Sequence, residues 1–262
     1  MPLPPAGWRV ELPGPQPVPD ALALSERLLG EIGGAPAGTP GHRPDHGPDQ
    51  HPGHRAPALV VHRVAPAAIT VGRAQRGDAD PAAAAAEGLD VVLRPSGGGP
   101  VLWDDDLIAI DVILPAGHPL LPDDIVAAYR WVGEAVAGAL TGLGVAGARA
   151  LPPDEARAWP AGAAAAMCFG GLSPWEVVAG DRKVLGLSQV RRTTGAIIQV
   201  GVPMRLDAER LARAMGAPAG AADDLGTRTA GVAELTPGVT REVAEQALVQ
   251  ALLGAADRGA AA

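Results

Sequence analysis

Residues 168–189 read CFGGLSPWEVVAGDRKVLGLSQ and place Cys168, the chain's one cysteine, fifteen residues before Lys183. The apolar residues and glycines between them predict a tight hairpin, with strands at 175–178 and 183–187 and a turn at 179–182. A hairpin of this kind is able to bring the two side chains together. A cation beside a thiol favours the nucleophilic thiolate, so the pair is a candidate catalytic centre.

Each residue of this pair also has a plainer interpretation. An isolated cysteine is often a small buried hydrophobic side chain, and an isolated hairpin lysine is usually solvated. However, Lys183 starts a predicted strand that also carries Gly186 and Ser188. An ammonium group held there can lower the pKa of a thiol and polarise a carbonyl group. Both interpretations stay open at the level of sequence.

Strands and helices can be predicted on both sides of this stretch. Runs rich in β-branched residues predict strands at 58–64, 68–73, 88–94, 107–114 and 195–202. Apolar residues at helical spacing predict helices at 20–32, 123–143, about 207–215 and about 240–253. Strands grouped before and after a long helix indicate an α+β fold, with a mixed or antiparallel sheet flanked by helices.

The segment 33–57 is rich in Gly, Pro, Asp and His and contains four histidines: His42, His46, His51 and His54. This composition buries too little apolar surface to fold alone, so we expect a disordered loop insertion. A metal-binding tract is the alternative, because imidazole is a common ligand, but no fixed ligand spacing supports it.

The composition excludes several classes of protein. The formal net charge of −8 and a pI near 5.2 argue against nucleic-acid binding, which needs a basic surface. No apolar run is long enough for a membrane span, and the first nine residues do not resemble a signal peptide, so we expect a cytoplasmic protein. One cysteine rules out an internal disulfide and a multi-cysteine zinc site, and we expect no metal centre.

Three consecutive glycines, Gly97, Gly98 and Gly99, follow the predicted strand 88–94. Glycines leave backbone N–H groups free to approach an acyl or phosphoryl oxygen. The loop lacks the Gly-Lys-Ser/Thr of a P-loop and the spacing of a dinucleotide-binding fingerprint. It is therefore either a plain connection or a cradle for an oxygen of a substrate.

Four ordered motifs together resemble the catalytic domain of lipoate-protein ligases, octanoyltransferases and biotin-protein ligases. They are ITVGRAQ at 69–75, RPSGGGPV at 94–101, GDRKVLGLSQ at 180–189 and GAIIQVG at 195–201. The resemblance implies one α+β catalytic domain over residues 1–262, with an acyl pocket above a mixed sheet. It implies that the glycine loop and Lys183 hold the carboxyl end of the acyl group.

The resemblance also implies which residues bind substrate. They are Arg73, Arg94, Ser96, Gly97, Gly98, Gly99, Val101, Gly186, Ser188 and Gln199. Three places depart from the family pattern, namely Leu93, Leu102-Trp103-Asp104 and Val200-Gly201-Val202. The resemblance therefore fixes neither the acyl chain nor the acceptor.

Cys168-Phe169 followed by Ser173, Glu176 and Lys183 is most similar to the cysteine-dependent octanoyltransferases. That branch implies that Cys168 carries an octanoyl or lipoyl thioester, with an acyl carrier protein as donor and no cofactor. The acceptor would be a lysine of a lipoyl domain or of the glycine-cleavage H protein. The alternatives are an ATP- and Mg²⁺-dependent lipoate-protein ligase that acts through lipoyl-AMP, and a non-catalytic acyl-binding protein.

Overall fold

The centre of the fold is a five-stranded mixed sheet. The computed structural model describes residues 7–33, 56–160, 162 and 169–260. Across the sheet the strands are β1 (Arg9–Glu11), β2 (Ala58–His62), β6 (Leu107–Pro115), β11 (Gly195–Pro203) and β10 (Gly186–Arg192). Strands β1 and β2 are parallel, and the other neighbours are antiparallel. The predicted α+β fold with a mixed sheet is confirmed.

Strand β6 reads LIAIDVILP and is buried along eight of its nine residues. Side chains alternate between the faces of a strand, so such a run must be covered on both faces. One face carries Ile108, Ile110 and Val112 into the largest hydrophobic cluster, while Ile113 on the other face packs in a separate cluster. The aspartate in this run, Asp111, belongs to that second face.

Three long helices cover the central sheet: α1 (Val18–Gly33), α3 (Ile125–Gly142) and α8 (Arg241–Ala260). Helices α3 and α8 contribute to the cluster that contains Ile110, and α1 lies over Ile113. Helix α3 begins where the Asp124 carboxylate accepts a hydrogen bond from the backbone of Val126, at 2.8 Å. All three confirm predicted helices, although α8 continues well past residue 253.

Two smaller sheets flank the central one. The first has the order β4 (Asp90–Arg94), β3 (Ala68–Gly72), β5 (Val101–Trp103), and the second has the order β7 (Ala148–Ala150), β8 (Val177–Ala179), β9 (Arg182–Lys183). Shorter helical segments complete the described chain: a 3₁₀ turn at Arg73–Asp78, α2 (Pro81–Ala86), α4 (Pro153–Arg157), α5 (Ala208–Ala214), α6 (Ala221–Arg228) and α7 (Val232–Leu235).

The predicted strand 183–187 is wrong. The chain reverses at Gly180, and β9 ends at Lys183. Gly186 already belongs to β10 of the central sheet. The run therefore passes from a small sheet to the central one, which a β-rich sequence pattern cannot distinguish from one continuous strand.

Helix α3 approaches the chain before β8 very closely. A Cβ atom added at Gly133 would lie only 2.1 Å from the carbonyl oxygen of Trp175. Trp175 itself has a positive φ of 68°, and the Arg130 guanidinium lies 5.3 Å from the centre of its ring. Only glycine permits this contact between the helix and the chain.

Residues 34–55, which make up most of the predicted loop insertion and include all four of its histidines, lie outside the described residues. In the part of the chain that the structure does describe, no helix has both the length and the apolar character needed to cross a membrane.

The largest hydrophobic cluster depends on α3. We expect Leu140→Ala to lower the free energy of unfolding by about 2–5 kcal/mol, because Leu140 is fully buried and its loss leaves a cavity. Urea denaturation measures this change. Ile125→Ala, at an exposed position of the same helix, should change it by less than about 0.5 kcal/mol. Equal effects of the two substitutions would contradict this packing.

Candidate active site

A pocket lies between the α1-facing side of the central sheet and the sheet formed by β4, β3 and β5. Its volume of about 60 Å³ is several times what one buried water requires, so a ligand rather than a single water fits it. The lining residues are Thr70, Arg94, Val101, Trp103, Leu107, Ala109, Asp111, Phe169, Gly186, Leu187, Ser188, Gln199, Val200 and Gly201.

Strand register decides which side chains meet in this pocket. Gln199 of β11 pairs with Ser188 of β10 on one side and with Asp111 of β6 on the other. These three residues form a polar row across the central sheet. The next row on the same face consists of two glycines and an alanine.

The glycine loop is held from inside by Arg94, which is 4% exposed. Its guanidinium donates hydrogen bonds to the carbonyl oxygens of Gly97 at 2.9 Å and Gly99 at 2.8 Å, and to the Thr70 carbonyl at 2.8 Å. The carbonyl oxygen of Gly98 accepts from the backbone N–H of Gly72, at 3.1 Å.

All three glycine carbonyls of the loop are therefore engaged within the fold. By contrast, no acceptor among the described residues engages the N–H groups of Gly97–Gly99. Arg94 lines the pocket, and the hydrogen bonds given above hold the loop in its shape.

A hydroxyl cluster joins the loop to the central sheet. Ser96 Oγ donates to Gln199 Oε1 at 2.5 Å, and Ser188 Oγ donates to the same oxygen at 3.1 Å. The Arg94 Nε group donates to Ser96 Oγ at 3.1 Å. Four of the residues predicted to bind substrate, Arg94 included, thus form one network at the polar side of the pocket.

Lys183 forms a buried ion pair with Glu176, at 2.7 Å between Nζ and Oε2. The two side chains are 3% and 2% exposed. Glu176 also accepts hydrogen bonds from the backbone N–H groups of Ser173 at 2.6 Å and Leu187 at 2.8 Å, while Lys183 Nζ donates to the Gly171 carbonyl at 2.9 Å. Burial raises the pKa of Glu176, and the Lys183 ammonium opposes that rise.

The ion pair lies beside the aromatic wall of the pocket. Lys183 Nζ is 5.4 Å from the ring centre of Phe169, which lines the pocket. The residue before it in the chain, Cys168, lies outside the described residues, so its contact with Lys183 stays a prediction.

Half of the ten residues predicted to bind substrate line the pocket, namely Arg94, Val101, Gly186, Ser188 and Gln199. Ser96, Gly97, Gly98 and Gly99 are not among the lining residues, although Ser96 is hydrogen-bonded to Gln199. Arg73 is exposed at the start of the 3₁₀ turn, directly after Gly72, and does not line the pocket.

Sequence reasoning missed the ion pair of Lys183 and a buried polar cluster behind the pocket. Glu176 was named only as part of the resemblance and was given no role. Asp111 Oδ2 accepts from Ser25 Oγ at 2.6 Å and lies 3.0 Å from His62 Nε2, although these residues are far apart in sequence. All three are at most 2% exposed.

A model of the lipoyl protein ligase A/B catalytic domain matches residues 48–256. The chain is 37% identical over 163 residues to the octanoyltransferase LipM of Exiguobacterium sp. strain AT1b, which covers 61% of this chain and 58% of that protein. It is 32% identical over 162 residues to the octanoyltransferase LipM of Kyrpidia tusciae, with the same coverages. The matched region is thus less than two thirds of these relatives.

Two solved structures share the fold at 18% identity. A crystal structure of lipoate-protein ligase A bound with ATP aligns with a TM-score of 0.69 over 94% of this chain and 84% of its own. The bipartite lipoate protein ligase of Thermoplasma acidophilum, described with its E2 lipoyl domain, aligns with a TM-score of 0.66 over 94% and 82%. At this identity the likeness concerns the fold alone.

The Lys183–Glu176 pair gives a test of the site. We expect Glu176→Gln to lower the free energy of unfolding by about 3–5 kcal/mol, because it leaves a buried ammonium without its counter-charge. Urea denaturation at neutral pH measures this. The matched control is Glu134→Gln, which removes an exposed carboxylate 2.8 Å from Arg130 and should cost less than about 1 kcal/mol.

Adding Lys183→Met to Glu176→Gln should restore part of the lost stability, because both charges are then absent. If Glu176→Gln alone lowers the free energy of unfolding no more than Glu134→Gln does, the buried ion pair does not stabilise the fold as expected.

Proposed function

The chain belongs to the lipoyl protein ligase A/B catalytic-domain family, and from this premise we propose that it is an acyltransferase of protein lipoylation. It would move an octanoyl or lipoyl group through a Cys168 thioester onto a lysine of a lipoyl carrier domain. The observation that carries this proposal is the buried Lys183–Glu176 pair beside Phe169, the residue that follows Cys168. The octanoyltransferase names of the curated relatives support the same branch.

The first step forms the acyl-enzyme. The Cys168 thiol loses its proton, and the thiolate attacks the carbonyl carbon of an octanoyl thioester on an acyl carrier protein. The bond from that carbon to the carrier's sulfur breaks, and the carrier leaves as a thiolate that takes up the proton lost by Cys168. In the second step the ε-amine of the acceptor lysine attacks the new thioester, forms the amide and releases Cys168 as the thiol. No ATP is consumed, because the donor thioester supplies the activated acyl group.

Lys183 would act at short range. The Glu176 carboxylate holds the ammonium in place but cancels much of its field at a distance. We therefore assign Lys183 to a direct hydrogen bond, either to the thiolate or to the acyl oxygen. We assign the N–H groups of Gly97–Gly99 as further donors for the oxyanion, because no acceptor among the described residues engages them.

The ATP-dependent ligase is the second candidate, supported by the fold of the ATP-bound lipoate-protein ligase A. In that reaction Lys183 and the glycine loop would hold an acyl-adenylate, with ATP and Mg²⁺ required, and Cys168 would only pack. The acceptor would again be a lipoyl domain or the glycine-cleavage H protein. A requirement for ATP separates the two reactions.

We expect octanoyl acyl carrier protein to add one octanoyl group to the wild-type protein, as read by intact mass, and hydroxylamine to remove it. The chain has a single cysteine, so a hydroxylamine-labile adduct identifies Cys168. Cys168→Ala should give no adduct and lower transfer to a lipoyl domain by about 10³-fold or more, because the nucleophile is gone.

Thermal unfolding of the Cys168→Ala variant controls for loss of the fold. Full transfer by that variant would end the thioester mechanism. Activity that appears only with ATP and free octanoate or lipoate, with release of pyrophosphate, would assign the ligase reaction instead. Binding of octanoate without turnover under either condition would indicate a non-catalytic acyl-binding protein.

A further inference from the structure

A row of residues with almost no side chain crosses the floor of the pocket. Gly201 of β11 pairs with Gly186 of β10 on one side and with Ala109 of β6 on the other. Neighbouring strands are about 4.8 Å apart, so the three positions form one continuous shallow trough. All three residues line the pocket.

The trough has a different group at each end. At the Gly186 end, Lys183 lies three residues earlier in the chain. At the other end, Ala109 pairs with His62 of β2, which is 1% exposed. The His62 ring packs edge-on against Trp103 at 5.8 Å between ring centres and is held at Nε2 by Asp111. The far end is therefore closed by a buried, hydrogen-bonded ring.

The backbone does not require glycine at position 201. Its φ lies outside the left-handed region, and the β11 register is continuous through it, so no bulge is present. An added Cβ would lie 3.6 Å from Leu107 Cδ1 and 3.9 Å from Phe169 Cζ, which are ordinary contacts. At Gly195 of the same strand, by contrast, a Cβ would lie 2.1 Å from the Leu114 carbonyl oxygen.

A glycine inside a strand weakens the strand, and where no bulge or bend requires it, it marks a place where a ligand comes close. Leu107 and Phe169 bound the space above Gly201 but do not fill it. The third atom near an added Cβ is the Gly186 carbonyl oxygen, at 3.9 Å, so the space is bounded mainly by apolar side chains. It suits the methylene groups of an acyl chain.

We propose that the missing side chain at Gly201 sets the length of the acyl chain that the pocket accepts. The acyl carbonyl lies at the Lys183 end, the chain crosses Gly201 and Ala109, and its methyl end stops at Trp103 and His62. This inference rests on the proposed acyl transfer and adds the residue that determines chain length.

The experiment compares butanoyl, hexanoyl, octanoyl and decanoyl acyl carrier proteins as donors, with adduct formation read by intact mass. Gly201→Ala should lose about tenfold or more of the octanoyl rate while the hexanoyl or butanoyl rate is kept, because one methyl group fills the trough. Leu107→Val, which widens the trough beside Gly201, should raise the decanoyl rate relative to octanoyl by about fourfold, the worth of one buried methylene.

The matched control is Gly138→Ala, which adds the same methyl group at an exposed position of α3 with nothing within 4 Å. It should leave the chain-length profile unchanged. Thermal unfolding confirms that each variant is folded, and the opposite directions expected for Gly201→Ala and Leu107→Val cannot both arise from damage to the fold.

An unchanged profile in folded Gly201→Ala, or an equal loss for all four chain lengths, would overturn the inference. A wild-type protein that takes no acyl group from any thioester would instead contradict the proposed transfer. In that case the same variants are compared with the four free acids and ATP, and the profile of Gly201→Ala again decides the inference.

Discussion

The pairing of β6 with β11 is the constraint on which the site depends. Nine consecutive residue pairs join these strands, from Gly195 opposite Pro115 to Pro203 opposite Leu107. Side chains alternate between the two faces of the sheet. A slip of one residue would therefore move every side chain that one strand contributes to the pocket to the opposite face, which α3 covers. Such a slip in β6 would also move Asp111 away from Ser25 and His62 and into the hydrophobic cluster beneath α3, which opposes the slip. The pocket thus depends on core packing, because the packing fixes the face of the sheet on which each lining residue lies.

The buried charges around the pocket are satisfied mainly by backbone groups. Arg94 donates to carbonyl oxygens of the glycine loop and of β3, and Glu176 accepts two amide hydrogens besides its contact with Lys183. Backbone groups cannot swing away as long side chains can, so the charges have fixed positions before any ligand arrives. In a setting of low dielectric constant this order strengthens each hydrogen bond that the site makes. Because its hydrogen bonds go to these backbone groups, Arg94 lines the pocket and at the same time holds the glycine loop in place.

The sequence predicted what depends on local patterns. The periodicity of α3 and the apolar runs of β6 and β11 gave these elements nearly to the residue, and three adjacent glycines marked the loop. It was wrong at residues 183–187, where one apolar run serves two sheets. The cluster of Ser25, His62 and Asp111 could not be predicted, because three elements must pack before those side chains meet. The trough at Gly201 could not be predicted for the same reason. A single glycine in a strand does not indicate a trough until the residues opposite it on the neighbouring strands are known.

The approach of α3 to the Trp175 carbonyl has a consequence for how this protein can vary. Position 133 has no room for even one carbon, so it admits a single amino acid, although it lies in a helix where glycine is otherwise a poor choice. In a saturation library selected for folding, position 133 would return glycine alone, while Gly138 on the next turn, with open space around it, would accept many residues. The two glycines of one helix would thus show opposite tolerance.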